Sequence, residues 1–123
     1  MKRNMDLIRL LLLQQEGENV ETEIKRYDEK LILYNLVLMD DAGLIEAAVS
    51  KDGSGRADLV TILRLTWAGH DFLDAARDPS IWSQAKEKIL KPGVSWTFSV
   101  LVEFLKSEAT RSLRAVFGLP PSS

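Results

Sequence analysis

Hydrophobic positions in the first forty residues recur near the helical period. Met5, Ile8, Leu12 and Leu13 form one stripe, and Leu7, Leu10 and Leu11 widen it, which predicts a largely buried first helix. Asn4 or Asp6 can cap its start and Gly17 can close its end. From Val20 to Tyr27 the pattern changes: Val20, Thr22, Ile24 and Arg26 alternate with Glu21, Glu23, Lys25 and Tyr27. That alternation suggests a short extended segment, with a short helix as the alternative, and the structure of residues 18–27 stays open. A second helix is predicted from a cap at Asp28 through Leu36 and Met39 to Ala42, where Gly43 stops it. Leu31, Ile32, Leu33, Leu36, Val37, Leu38 and Met39 cover nearly all its sides, so part of this surface is expected to be an exposed contact patch.

Two strands follow, Leu44 to Lys51 and Asp58 to Leu65, joined through Asp52-Gly53-Ser54-Gly55-Arg56. In the second strand Leu59, Thr61, Leu63 and Leu65 are expected on one face, with Val60, Ile62 and Arg64 on the other. Thr66 caps a helix from Trp67 to about Arg77, and Asp78-Pro79 starts another that ends before Pro92-Gly93. The last helix runs from about Ser95 to Phe117. Its stripe of Phe98, Leu101, Leu105, Ala109, Leu113 and Val116 is flanked by a second one of Trp96, Val100 and Phe104. Trp67, Trp82 and Trp96 each sit near a helix start and are expected to anchor their helices to the core.

Two short patterns point to a fold. Asn35-Leu36-Val37-Leu38-Met39-Asp40-Asp41-Ala42-Gly43-Leu44-Ile45 resembles the end of a winged-helix recognition helix. Leu65-Thr66-Trp67-Ala68-Gly69-His70-Asp71-Phe72-Leu73 resembles the segment that follows the wing in many such proteins. Met1 to Arg9, with Arg64 to Asp74, Arg77-Asp78, Ile81-Trp82 and Lys86-Glu87-Lys88, further resembles the bacterial and phage domain-of-unknown-function family 2513. Asn4 and Asn35 depart from the Asp and His usual at those positions, and the acidic stretch 16–23 departs as well. The resemblance implies a prokaryotic or prophage origin and brings no established activity. The expected class is α+β and mostly helical: a winged helix-turn-helix with a two-stranded wing over residues 1–77, a C-terminal helical extension over 78–118 and a disordered tail at 119–123.

Composition and charge narrow the functions. At 123 residues the chain fits one domain, and 46% apolar with 28% charged residues is ordinary globular composition. There is no Cys, which removes disulfides and thiolate metal sites and suits a cytoplasmic protein. The uninterrupted apolar runs fall far short of the ~18 residues a membrane helix needs, and no targeting segment is read at the start. The net charge is −2, but residues 1–78 carry ten basic and fifteen acidic groups, while residues 79–123 carry six and three. The half that would touch DNA is therefore the acidic one.

Catalysis is not expected, because a covalent mechanism wants a nucleophile beside a base and the chain has no Cys and a single His. His70 beside Asp71 and Asp74 reads as a surface histidine rather than a metal ligand, and Gly53-Ser54-Gly55 as a turn rather than a phosphate loop. No cofactor, metal or small-molecule substrate is expected. Two binding readings remain. In the first, a transcriptional regulator holds duplex DNA with Lys25, Arg26, Lys30, Tyr34, Lys51 and Arg56. In the second, a winged helix turned to protein contacts, such as a phage inhibitor docking on a host complex, uses Leu33, Val37, Trp96, Val100 and Phe104. A homodimer through the C-terminal helices is expected under either. The fold favours DNA, and the charge census favours protein: residues 25–56 set five basic groups against six acidic ones.

Overall fold

The computed structural model describes residues 1–120 and divides the chain into two units, Met1–Leu73 and the segment from Asp74 onward, the boundary falling inside one helix. The first unit holds α1 (Met5–Gln15), α2 (Glu21–Ile24), α3 (Glu29–Asp41), β1 (Ile45–Lys51), β2 (Ala57–Leu65) and most of α4 (Trp67–Ala76). The second holds the end of α4, α5 (Pro79–Lys88) and α6 (Phe98–Val116). The protein is thus α+β, with six helices and a two-stranded antiparallel sheet among the described residues. Of the tail expected at 119–123, residues 121–123 lie outside those described.

In the first unit α1 supplies the core. Met5, Leu7, Ile8, Leu11, Leu12 and Leu13 are buried, and the helix packs on α2, α3 and β2. Of the two caps offered by the sequence, Asn4 serves: its side-chain oxygen accepts the Leu7 N–H at 3.1 Å. Its own N–H donates to Oδ1 of Asn35 at 2.8 Å, and Asn35 in turn donates through Nδ2 to the Leu31 carbonyl at 2.9 Å. Asn35 is wholly buried, and its side chain is satisfied as a buried amide must be. The two asparagines that depart from the family pattern are therefore bonded to each other.

Residues 20–27 are not extended. Glu21–Ile24 form a single helical turn, in which the Ile24 N–H bonds to the Val20 carbonyl at 3.0 Å and Lys25 pairs with Glu21 at 3.2 Å, four residues apart. Ile24 is the one buried residue of the turn, so the alternation of the segment does not mark a buried strand face.

The two sequence patterns prove to be one joint. Gly43 takes a φ of +75°, which lets its N–H bond to Asp40 and the Leu44 N–H bond back to Met39 (3.0 and 2.9 Å), closing α3. The Leu44 carbonyl then accepts the Thr66 N–H at 3.1 Å, and the Thr66 hydroxyl donates to the Gly43 carbonyl while accepting the Gly69 N–H. A Cβ on Gly69 would collide with the Leu44 carbonyl, so this position admits only glycine.

Strands β1 and β2 pair from Ile45↔Leu65 to Lys51↔Ala57, with irregularities after Glu46 and after Ser50. The first one corrects the expected faces. Residue 63 has no partner in the register, so the alternation slips there. Leu65 ends up buried opposite Ile45, whereas Leu59 and Leu63 stand 60% and 63% exposed.

In the second unit Asp78 caps α5 through the N–H groups of Ser80 and Ile81, with Pro79 in the first helical position. Ile81, Trp82 and Ala85 of α5 are buried, as are Leu101, Leu105 and Glu108 of α6, and the two helices pack together. Helix α6 starts at Phe98 rather than Ser95, because Thr97 is its cap. Its expected stripe is buried only in part: Leu113 and Val116 are exposed. The anchoring role holds for Trp82, while Trp96 is half-buried and Trp67 is 88% exposed. At 3.6 residues per turn Trp67 lies on the side of α4 opposite Gly69 and Ala76, so it cannot share their buried face.

Candidate functional site

A concave feature of the first unit lies between α3 and the hairpin. A groove of about 630 Å³ is lined by Met1, by Lys30, Leu33, Tyr34 and Val37 of α3, and by Asp52, Arg56 and Ala57 of the hairpin. Its volume falls in the range of ordinary binding clefts. A smaller one of about 300 Å³ runs beside it, sharing Lys30 and Leu33 and adding Ile32, Leu36, Leu59 and Val60 among others. Helix α3 shapes both. Only Asn35 and Met39 are buried along it, while Leu31, Ile32, Leu33, Tyr34, Leu36, Val37 and Leu38 are half-buried.

The groove joins residues that the sequence assigned to rival readings. Lys30, Tyr34 and Arg56, from the DNA set, line it together with Leu33 and Val37, from the protein set. Three of the DNA set lie elsewhere. Lys25 caps the end of α2 in its pair with Glu21, Arg26 is exposed just after it, and Lys51 is exposed at the end of β1. Trp96, Val100 and Phe104 belong to the second unit, where Val100 is 48% exposed and the two aromatics are half-buried. Met1, Asp52 and Ala57 were not foreseen as lining, because no local pattern reports which residues a hairpin carries toward a helix.

The hairpin tip is built around Asp52. Its carboxylate accepts the Ser54 N–H at 2.8 Å, the Ser54 hydroxyl at 2.7 Å and the Arg56 N–H at 3.1 Å. The Ser54 hydroxyl, followed by these backbone donors, holds the Asp52 carboxyl below the usual carboxylate range. Glu29 and Asp58 line the smaller groove, and three further carboxylates of this unit have internal duties. Asp28 caps α3 through the Lys30 N–H at 2.8 Å, Asp40 accepts the Ala47 N–H at 3.2 Å, and Glu46 receives two bonds from Arg64 at 2.6 and 3.0 Å. By contrast Lys30 and Arg56 form no ion pair among the described residues. His70 lies 3.3 Å from Glu16 on the surface. Among the described residues no three of His, Cys, Asp and Glu are placed to hold a metal ion, and no helix is long and apolar enough to cross a membrane.

Comparison with known proteins adds kinship. No solved structure matches the chain. A protein of Haemophilus influenzae, described as an uncharacterized protein, is 36% identical over 96 residues, covering 72% of this chain and 79% of the relative. A family model described as hypothetical protein (DUF2513) matches residues 2–95, a span that takes in the α3–hairpin groove and the Gly43–Thr66–Gly69 joint, and the chain belongs to that family.

Proposed function

We propose that this is a winged-helix protein that acts by binding, with α3 as its recognition helix and the β1–β2 hairpin as its wing, and that the α3–hairpin groove receives an apolar segment of another protein. The observation that carries this reading is the lining of the groove. A helix that presents Leu33 and Val37 outward beside Ala57 and Met1 offers a partner apolar surface to bury. A DNA-reading helix in the same place would present hydrogen-bonding side chains to base edges. Charge supports the same reading. Hydrogen-bonded carboxylates keep their charge, so Asp52, with Glu29 and Asp58 of the adjoining groove, repels phosphate from this face.

One observation favours the DNA reading: Lys30 and Arg56 at the groove, with Arg26 and Lys51 exposed beyond it, are cations without an ion pair among the described residues. Fluorescence anisotropy of a labelled random duplex, titrated from roughly 20 to 200 mM salt, separates the two. The protein reading expects no binding of micromolar strength even at the lowest salt. Binding that weakens steeply with salt and vanishes in the Lys51→Glu, Arg56→Glu double variant would replace it with a DNA regulator.

A further inference from the structure

We infer that the groove is filled by the end of α6 from a second copy of this chain; this rests on the docking reading above and names its partner. Past Ala109, every described residue is exposed except the half-buried Arg114. The helix nonetheless keeps its form to Val116 and closes on its own bonds. The Gly118 N–H meets the Ala115 carbonyl at 3.2 Å and the Leu119 N–H meets the Arg114 carbonyl at 2.7 Å, with Gly118 at a φ of +69°. An uncovered end of about two turns gains nothing from packing, which is where most helical stability comes from. On it stand Leu113, Val116 and Phe117, 57%, 78% and 71% exposed. Their spacing of i, i+3 and i+4 is that of a helix laying one apolar face into a groove.

The same chain offers such a groove, with Met1, Leu33, Val37 and Ala57 along it. Charge decides which faces of two copies meet. Around the groove and its neighbour Asp52, Glu29 and Asp58 stand against Lys30 and Arg56, and residues 1–78 carry fifteen acidic groups to ten basic ones. From Lys106 to Pro120 the balance reverses: Lys106, Arg111 and Arg114 stand against Glu108, which pairs with Arg111 at 3.0 Å. Groove on groove, or α6 end on α6 end, would bring like charges together. An α6 end in a groove brings opposite ones together, so the contact joins two different faces, with the apolar side chains holding it and the charges choosing it.

Analytical ultracentrifugation of the intact protein from roughly 1 to 500 μM is the test, a range in which a contact of this modest size should show. The wild type is expected to self-associate reversibly. Val37→Asp breaks the groove and the Leu113→Asp, Phe117→Asp double variant breaks the helix end. Each should weaken association by about tenfold or more while circular dichroism shows the fold retained. The milder Leu33→Ser, Val37→Ser variant stands in for Val37→Asp if that one unfolds. Mixed together, the groove and α6 variants should form a one-to-one complex, because one copy's intact helix end meets the other's intact groove. Variants that do not pair on mixing, or association that survives the groove variant and is lost in the α6 variant, would overturn the inference. A wild type that stays monomeric throughout would also overturn it, and selection of a random peptide library then decides the docking reading. An apolar pool lost in Val37→Asp would leave the groove to a different protein; no enriched pool would overturn both.

Discussion

Helices α1 and α3 are nearly alike in composition and opposite in fate. Each is dominated by leucine and its relatives, each starts on a side-chain cap, and the two are of similar length, eleven and thirteen residues. In α1 six apolar side chains are buried; in α3 Met39 is the one apolar side chain that is, beside the polar Asn35. The difference lies in what surrounds them. Contacts from α2, α3 and β2 enclose α1, while α3 packs on α1 and the sheet and leaves its remaining face to line a groove. An apolar residue count therefore does not separate a core helix from one that keeps an open face. What separates them is how much of each helix its neighbours cover.

This contrast can be broken at several points. The largest effect is expected for Leu12→Ala in α1, at a site with no exposed surface, which should cost about 2–5 kcal/mol in urea unfolding. Gly69→Ala drives a methyl group into the Leu44 carbonyl at the joint that ends α3, and should cost about 3 kcal/mol in the same measurement. Asn35→Ala strips the Asn4 N–H of its partner where α3 meets the start of α1, for about 1–3 kcal/mol and faster amide exchange at Asn4. The smallest effect belongs to the hairpin tip. The folded-state pKa of Asp52 is depressed, so its contribution is present above the ordinary carboxylate pKa and is lost as pH falls through the lower folded value. Protection of the Ser54 and Arg56 amides, relative to their intrinsic exchange rates, should therefore fall only in acid, and Asp52→Ala should lower it at neutral pH with the global unfolding midpoint unchanged.

Much of the architecture was legible in the sequence because local signals agreed. Asn4, Asp28, Thr66 and Asp78 all cap the helices they were expected to cap, and Gly43 ends α3 as its position implied. The misses came where a long-range contact or a slip in register decides. The α2 turn buries Ile24 alone, the irregularity at Leu63 moves Leu65 to the buried face, and Trp67 is carried outward by the phase of α4. The groove was half legible. The apolar surplus of α3 announced an exposed patch with Leu33 and Val37 in it, while Lys30, Tyr34 and Arg56 were assigned to DNA instead. That they meet in one place, with Asp52 tied up in the turn, depends on how the hairpin folds over the helix.

The central claim is that the outward face of α3 serves a partner rather than the core. Urea unfolding of the Leu33→Ser, Val37→Ser double variant, set beside Leu12→Ala, tests it most directly. Both side chains line the groove and are only half-buried, so the double variant should keep the wild-type dependence on urea and lose less than about 2 kcal/mol. A loss equal to or greater than that of Leu12→Ala would place this face in the core and contradict the account.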